Sequence, residues 1–321
     1  MPPTSSSPGL CAFFLVGPTA SGKSAAAHWI AVRQGAAILS ADSMVVYRGL
    51  DVGTAKPTPE ERAQVRYYGL DLVEPGQPFS AAAYRRAALA AARQAAADGQ
   101  PLLAVGGTGL YLRSLTDGLA PRAPQQDAIR AEAGRLLAAG GVDALRDWLR
   151  RVDPRRLAGL SDPRNPRRLV RALESALAGE APPAPTWRAA GESPRIPGLM
   201  WEPAALYDRI ERRVRAMFEG GLLPEVERLL QAGLDRAPTA RAAIGYAEAA
   251  ACLRGACSLE EAMAVAARRT RRLAKRQMTW FRRQANVEWI RLDARMSVSE
   301  VAQAVQACWK AHGPAPLAPG E

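Results

Sequence analysis

The sequence predicts an α/β fold, a mostly parallel sheet flanked by helices and interrupted by a helical insertion domain. Three observations lead there. Short continuous apolar runs at residues 11–16, 37–39 and 102–105 read as strands buried on both faces. Helical stretches alternate with these strands, as right-handed crossovers in a parallel sheet require. The first strand also runs directly into Gly17-Pro18-Thr19-Ala20-Ser21-Gly22-Lys23-Ser24, which opens a helix. Strand, glycine-rich loop and helix in that order form a phosphate-binding loop, so the sheet is expected to be P-loop NTPase-like.

Each element follows in turn. A helix is expected over 23–34, and the second strand ends at Ser40-Ala-Asp42-Ser43. Ser80 reads as the N-cap of an Ala-rich helix reaching Asp98, which Gly99 closes. The strand at 102–105 is followed by Gly106-Gly-Thr108-Gly109 and a short helix. After about Asp117 the character changes, and residues 125–178 show helical patterns almost without strand signal. That stretch ends in Pro182-Pro-Ala-Pro185, a stiff linker. Residues 197–201 return the chain to the sheet, helices fill 203–284, 287–292 is a late strand, and a last helix spans 297–311. The expected organisation is a core over 10–118, a helical insertion over 119–195, a core completion with basic helices over 196–312, and flexible termini at 1–9 and 313–321.

Composition narrows the function. The 321 residues are enough to bury a full core. No apolar run approaches the roughly twenty residues that a spanning helix needs, and residues 1–9 lack the basic and apolar regions of a signal peptide. A cytoplasmic protein with no membrane contact is expected. The four cysteines, Cys11, Cys252, Cys257 and Cys308, show no CxxC spacing, and the two histidines, His28 and His312, lie near no second ligand in sequence. Neither a zinc site nor a disulfide framework is expected. The net charge is +12. An arginine-rich composition would explain that number alone, but residues 266–284 carry Arg268, Arg269, Arg271, Arg272, Lys275, Arg276, Arg282 and Arg283 with no acid. A solvated helix face mixes both signs, so a polyanionic partner is the better reading.

The loop at 17–24 supplies the chemistry. Its glycines let backbone N–H groups point at phosphate oxygens, the helix N-terminus adds a favourable dipole, Lys23 supplies a charge, and the Ser24 hydroxyl can bind Mg²⁺. By motif alone this is a nucleotide-binding, ATP-type loop. A nucleotide hydrolase would, however, carry an aspartate at the end of a later apolar strand, whereas here residues 102–105 end in Gly106-Gly107-Thr108. The phosphates then belong to a leaving group. Asp42, at the carboxyl end of the second strand, stands where parallel sheets place ligands. It reads either as turn chemistry or as a general base facing the loop.

Further motifs join these in order: Tyr47, Asp51-Val-Gly-Thr-Ala-Lys-Pro57, Gly106-Gly-Thr-Gly-Leu-Tyr111, Arg168-Leu-Val-Arg-Ala172, Gly245-Tyr246 and Leu273-Ala-Lys-Arg-Gln277. Together they resemble the tRNA dimethylallyltransferase (tRNA isopentenyltransferase) family in its shorter bacterial form, over nearly the whole chain. The resemblance implies that dimethylallyl diphosphate occupies residues 17–24 with Mg²⁺. It implies that N6 of a flipped-out adenine, 3′-adjacent to the anticodon, attacks C1 and displaces diphosphate. Asp42 would accept the N6 proton, while Lys23, Ser24 and Arg213 would meet the leaving-group charge. Arg209, with no acid one turn away, reads as a weaker phosphate candidate or a plain solvated charge. Thr108 would contact RNA near the target base, as well as capping a helix. The resemblance also places Asp42, Ser43, Met44, Val45, Arg130, Arg167, Arg168, Arg171, Arg271, Arg272, Lys275 and Arg276 against the tRNA anticodon stem-loop, and implies a monomer. Ala247, after Gly245-Tyr246, departs from the basic residue often found there; Arg241 could substitute. Competing readings are a P-loop small-molecule kinase and a non-catalytic RNA-binding protein.

Overall fold

The structure, a computed structural model, describes residues 9–119, 126–160, 162–180, 194–237 and 239–319. The expected flexible arm at 1–9 lies almost entirely outside them. The chain divides into two compact units, residues 1–118 with 188–321, and residues 119–187.

The larger unit is built on a sheet. Strands β1 (Cys11–Val16), β2 (Ala37–Ala41), β3 (Tyr67–Tyr68), β4 (Leu102–Gly106), β5 (Ile196–Trp201) and β6 (Val287–Leu292) stand in the order β3-β2-β4-β1-β5-β6. All their pairings are parallel. The short β7 (Ala315–Pro316) pairs antiparallel with Cys11 and Ala12 of β1. This corrects the expectation of a loose tail at 313–321. Ala315 and Leu317 are buried, and Leu317 N–H donates to Leu10 O, so apolar side chains and an open strand edge hold the segment. Neighbouring β1 residues point to opposite faces: Phe14 and Val16 join one core cluster and Leu15 the other.

Helices cover both faces. Helix α1 (Lys23–Gln34) begins at the end of the glycine loop, α2 (Pro59–Gln64) carries a Thr58–Glu61 capping box, and α3 (Ala81–Ala97) is capped by the Ser80 side chain. Helix α4 (Gly109–Thr116) follows β4. Helices α5 to α7 belong to the smaller unit. In the larger one, α8 (Pro203–Met217) continues through a π-turn at Phe218–Leu222 into α9 (Leu223–Gln231), followed by α10 (Tyr246–Leu253), α11 (Leu259–Gln284) and α12 (Val298–His312). Among the described residues, no helix is long and apolar enough to cross a membrane.

The smaller unit is helical, containing α5 (Asp127–Val152), kinked at Gly141, α6 (Pro154–Ala158) and α7 (Pro166–Leu177). Its own core is Ile129, Ala133, Leu145, Leu149, Leu169, Ala172 and Leu173. The Pro-rich linker read at 182–185 lies outside the described residues.

Candidate active site

Four strands deliver their carboxyl ends to one edge of the sheet, where parallel sheets bind ligands. After β1 comes the loop 17–24, after β2 Asp42, after β4 Gly107 and Thr108, and at the end of β5 Trp201. The loop and one face of α8 enclose a cavity of about 350 Å³ lined by Ala20 to Ala25 with Arg209, Arg212 and Arg213. Its charged lining is wholly cationic, which suits a polyphosphate.

Burial and the neighbouring Arg213 push the Lys23 ammonium down to about 8, with Asp42 opposing that shift. Burial also lowers Arg213, again opposed by Asp42. Lys23, Arg213 and Asp42 therefore form one electrostatic group, although 171 positions separate Asp42 from Arg213 in sequence (213 − 42). Asp42 Oδ1 accepts from Met44 N–H at 2.9 Å, while Oδ2 has no hydrogen-bond partner among the described residues. One carboxylate oxygen thus fixes the turn, and the other makes no hydrogen bond among the described residues, which leaves it open as the base the second reading asks for. Tyr84 and Tyr111 stack beside it with centroids 3.9 Å apart, and Tyr84 OH donates to Ser40 O. Burial raises both phenols, and Asp42 adds to the effect, so both rings stay neutral.

The loop 51–57 supports Arg213 from behind. Arg213 Nη2 donates to Thr54 O at 3.3 Å. That loop is pinned at both ends. Buried Lys56 donates to Tyr47 O, Asp51 and Asp71 at 2.6, 2.7 and 2.6 Å. Buried Glu225 accepts from the Asp51 and Val52 N–H groups and from Tyr246 OH. Sequence reading quoted the 51–57 motif without assigning it this work. It missed Glu225, whose partners lie far away in the chain.

Gln277 of α11 entered only as the last residue of the 273–277 motif, with no task of its own. Its Oε1 accepts from Thr19 N–H at 2.8 Å and its Nε2 donates to Gly107 O at 3.1 Å, tying the phosphate loop to the loop after β4. The glycines there permit that approach: a Cβ on Gly107 would stand 2.4 Å from Gln277 Nε2, and one on Gly109 2.2 Å from the Trp280 ring. Thr108 precedes α4 but makes no side-chain cap; instead its Oγ1 accepts from Ser43 N–H at 3.1 Å. The expected capping bond gives way to one that joins β2's turn to β4's.

The remaining expected residues fall into three groups. Ser43 and Met44 are half-buried beside Asp42, whereas Val45 is buried in the core, so its side chain offers no surface for RNA. On α11, Arg272, Lys275 and Arg276 are exposed, while Arg271 pairs with Glu211 at 2.7 Å. In the smaller unit, Arg167 and Arg168 are exposed at the first turn of α7. Arg130 and Arg171 instead pair with the buried Glu174 at 2.7 and 2.5 Å. Burial alone would raise that carboxyl, but hydrogen bonds from the two arginines hold it below the usual range. Two further expectations change. Arg209 is no plain solvated charge, since its guanidinium lies over the Trp201 ring and Nε donates to Ala20 O. His312 has neighbours: its Nε2 contacts Glu288 Oε2 at 2.9 Å, a partner that sequence spacing hid, and Cys308, four residues earlier on the same helix, lies alongside. Arg195 holds the same Glu288 oxygen at 3.0 Å, so the carboxylate ties β6 to its surroundings as an ion pair.

This arrangement has counterparts. The family model described as IPP transferase matches residues 45–284. A tRNA dimethylallyltransferase from Geobacter sulfurreducens is 44% identical over 292 residues, spanning 89% of this chain and 94% of that protein. One from Anaeromyxobacter sp. (strain K) is 46% identical over 280 residues, spanning 86% and 91%. The crystal structure of a tRNA isopentenylpyrophosphate transferase from Bacillus halodurans superposes with a TM-score of 0.66 at 35% identity, covering 94% of this chain and 98% of that one. The phosphate loop, the Asp42 turn and the basic α11 therefore stand in a P-loop NTPase-like fold shared along almost the full length of these proteins, and the chain belongs to the IPP transferase family of tRNA dimethylallyltransferases.

Proposed function

We propose that this protein transfers the dimethylallyl group of dimethylallyl diphosphate to N6 of the adenine 3′-adjacent to the anticodon of tRNA, releasing diphosphate. The observation that carries the reading is the placement of Asp42 and a cationic cavity at one sheet edge, with Lys23 and Arg213 both within its field. As N6 bonds to C1, the C1–O bond breaks and its electron pair leaves on the diphosphate. Lys23, Arg213 and the loop amides meet that growing charge, so they act more strongly on the transition state than on the bound donor. The N6 proton passes to Asp42, a transfer that contributes about 10²–10⁴ in rate.

Mg²⁺ fits this site in one particular way. The exposed Ser24 hydroxyl lines the cavity, and the cavity lining includes no carboxylate, so Ser24 would hold the ion together with diphosphate oxygens and water. Bound there, the ion would neutralise leaving-group charge. For tRNA the support is α11. Arg268, Arg272, Lys275, Arg276 and Arg283 are exposed at helical spacing along about 22 Å of axis, enough to follow several phosphates. Arg167 and Arg168 of the smaller unit are further candidates.

The test is mass analysis of nucleosides from an unmodified anticodon stem-loop incubated with the protein, Mg²⁺ and dimethylallyl diphosphate. The expected product is adenosine heavier by one dimethylallyl group. Hydrolysis or transfer of ATP phosphate with no modified adenosine would favour a kinase instead.

A further inference from the structure

Two side chains hold the phosphate loop by its carbonyl groups, Trp201 and Arg209, the second of which also lines the cavity. Trp201, at the end of β5, donates its indole N–H to Ser21 O at 3.0 Å. Arg209, in α8, donates Nε–H to Ala20 O at 2.9 Å. The two brace each other, the guanidinium carbon lying 4.5 Å from the centroid of the indole ring. In a trans peptide the C=O and the following N–H point in opposite directions. A carbonyl tied outward therefore turns the next amide inward. Arg209 fixes the plane whose N–H belongs to Ser21, which closes the turn by donating to Pro18 O at 3.3 Å, and Trp201 fixes the plane whose N–H belongs to Gly22.

The loop needs that restraint. Ala20 sits in the left-handed region at φ 63, which a side chain disfavours, and Gly22 follows at φ 92. Inside the loop the buried Ser21 hydroxyl has no hydrogen-bond partner among the described residues. A loop held in an unfavourable conformation around an unsatisfied polar group is shaped for a ligand. Were the Ser21–Gly22 plane to turn over, a carbonyl oxygen would face the phosphate in place of a donor, and turning the Ala20–Ser21 plane would break the Ser21 N–H bond to Pro18 O.

Resting on the reading of this loop as a diphosphate site, we propose that Trp201 and Arg209 are positioning residues, Arg209 holding the turn at 18–21 and Trp201 aiming the Gly22 amide at the donor's diphosphate. Their effect falls on the donor and not on the tRNA.

Trp201→Phe keeps an aromatic ring beneath the guanidinium and removes only the N–H. Arg209→Lys keeps the charge and removes the planar Nε donor. Each should weaken binding of inorganic diphosphate, and raise KM for dimethylallyl diphosphate, by about five- to thirtyfold. KM for the stem-loop and the melting temperature should not move. Wild-type diphosphate affinity in both variants overturns the proposal, as does a parallel rise in both KM values with a fallen melting temperature. A second measurement needs no variant. Titrating inorganic diphosphate into the ¹⁵N-labelled wild-type protein should shift the Gly22 amide and the Trp201 indole N–H. The Trp309 indole, bonded to Phe14 O at 2.8 Å, should stay in place. An unmoved Gly22 amide and Trp201 indole overturn the proposal. If these signals shift but no adenine is modified, the proposed reaction fails and the brace stands. If adenine is modified while both variants bind diphosphate normally, the brace alone fails.

Discussion

Lys23 shows at the scale of one residue how a site is bought with stability. Its ammonium is partly buried beside Arg213, and its pKa falls from 10.5 to about 8. The folded protein then binds fewer protons than the unfolded chain between those values, so stability rises with pH across about 8 to 10.5, and the full penalty applies below 8. Lys23→Met should therefore stabilise the ligand-free protein at pH 7 by roughly 1–3 kcal/mol, discounted for partial exposure. The gain should vanish above about pH 10.5, as thermal melts across pH would show. The same variant should lose prenyl transfer even at saturating donor. Asp42→Asn is the complementary case. The amide still accepts from Met44 N–H through its oxygen but takes no proton, so the turn should hold, melting should fall slightly because Lys23 and Arg213 lose the opposing carboxylate, and single-turnover transfer should drop by about 10²–10⁴. Near-normal turnover would remove Asp42 from the role of base.

Among the elements, α11 joins structure to recognition. Its buried side is mostly small, with Ala262, Ala266, Ala267, Thr270 and Ala274, and ends on Phe281. Small residues let neighbouring helices approach closely, and the long cationic side chains are left to the opposite face. Replacing Arg272, Lys275 and Arg276 with Gln should weaken stem-loop binding and make the slope of log affinity against log salt shallower by about two to three. An unchanged slope would show that this face meets no phosphate. Arg271 makes a poorer probe, because it already pairs with Glu211. The same helix carries Trp280 over Gly109. Gly109→Ala would place a methyl 2.2 Å from that ring, so the start of α4 must shift. Overpacking of this kind costs about 1–3 kcal/mol and should displace Thr108 from Ser43, lowering both the melting temperature and the transfer rate.

For the whole molecule, the division into two units sets what each can lose independently. The smaller unit has a core of its own and a single buried carboxylate at its centre, Glu174, which accepts from Gln126 N–H, Arg130 and Arg171. Glu174→Ala should destabilise that unit by about 1–3 kcal/mol. Limited proteolysis should then cut first within 119–187, while inorganic diphosphate still binds the larger unit. Protection equal to wild type would show that the ion-pair cluster is not holding the helices.

The sequence by itself determined the strand–loop–helix at 11–34, the parallel sheet, the position of Asp42 at a strand end and the acid-free run on α11, because all of these are local patterns of period, spacing and charge. Helix limits set by caps were equally legible, as at Ser80 and Gly99. What lay outside its reach was every bond between distant positions. Glu225 beneath residues 51–52, Gln277 bridging Thr19 and Gly107, and Trp201 with Arg209 on the loop's carbonyls each join segments more than 150 residues apart. The tail at 315–317 looked loose because β7 has only two residues, and its order comes from the edge of β1. Arg130 and Arg171, which the family resemblance set against tRNA, pair instead with Glu174, whose burial composition does not show. Local patterning chose the elements and the chemistry, and only tertiary structure decided which side chains reach the ligand edge and which hold the others in place.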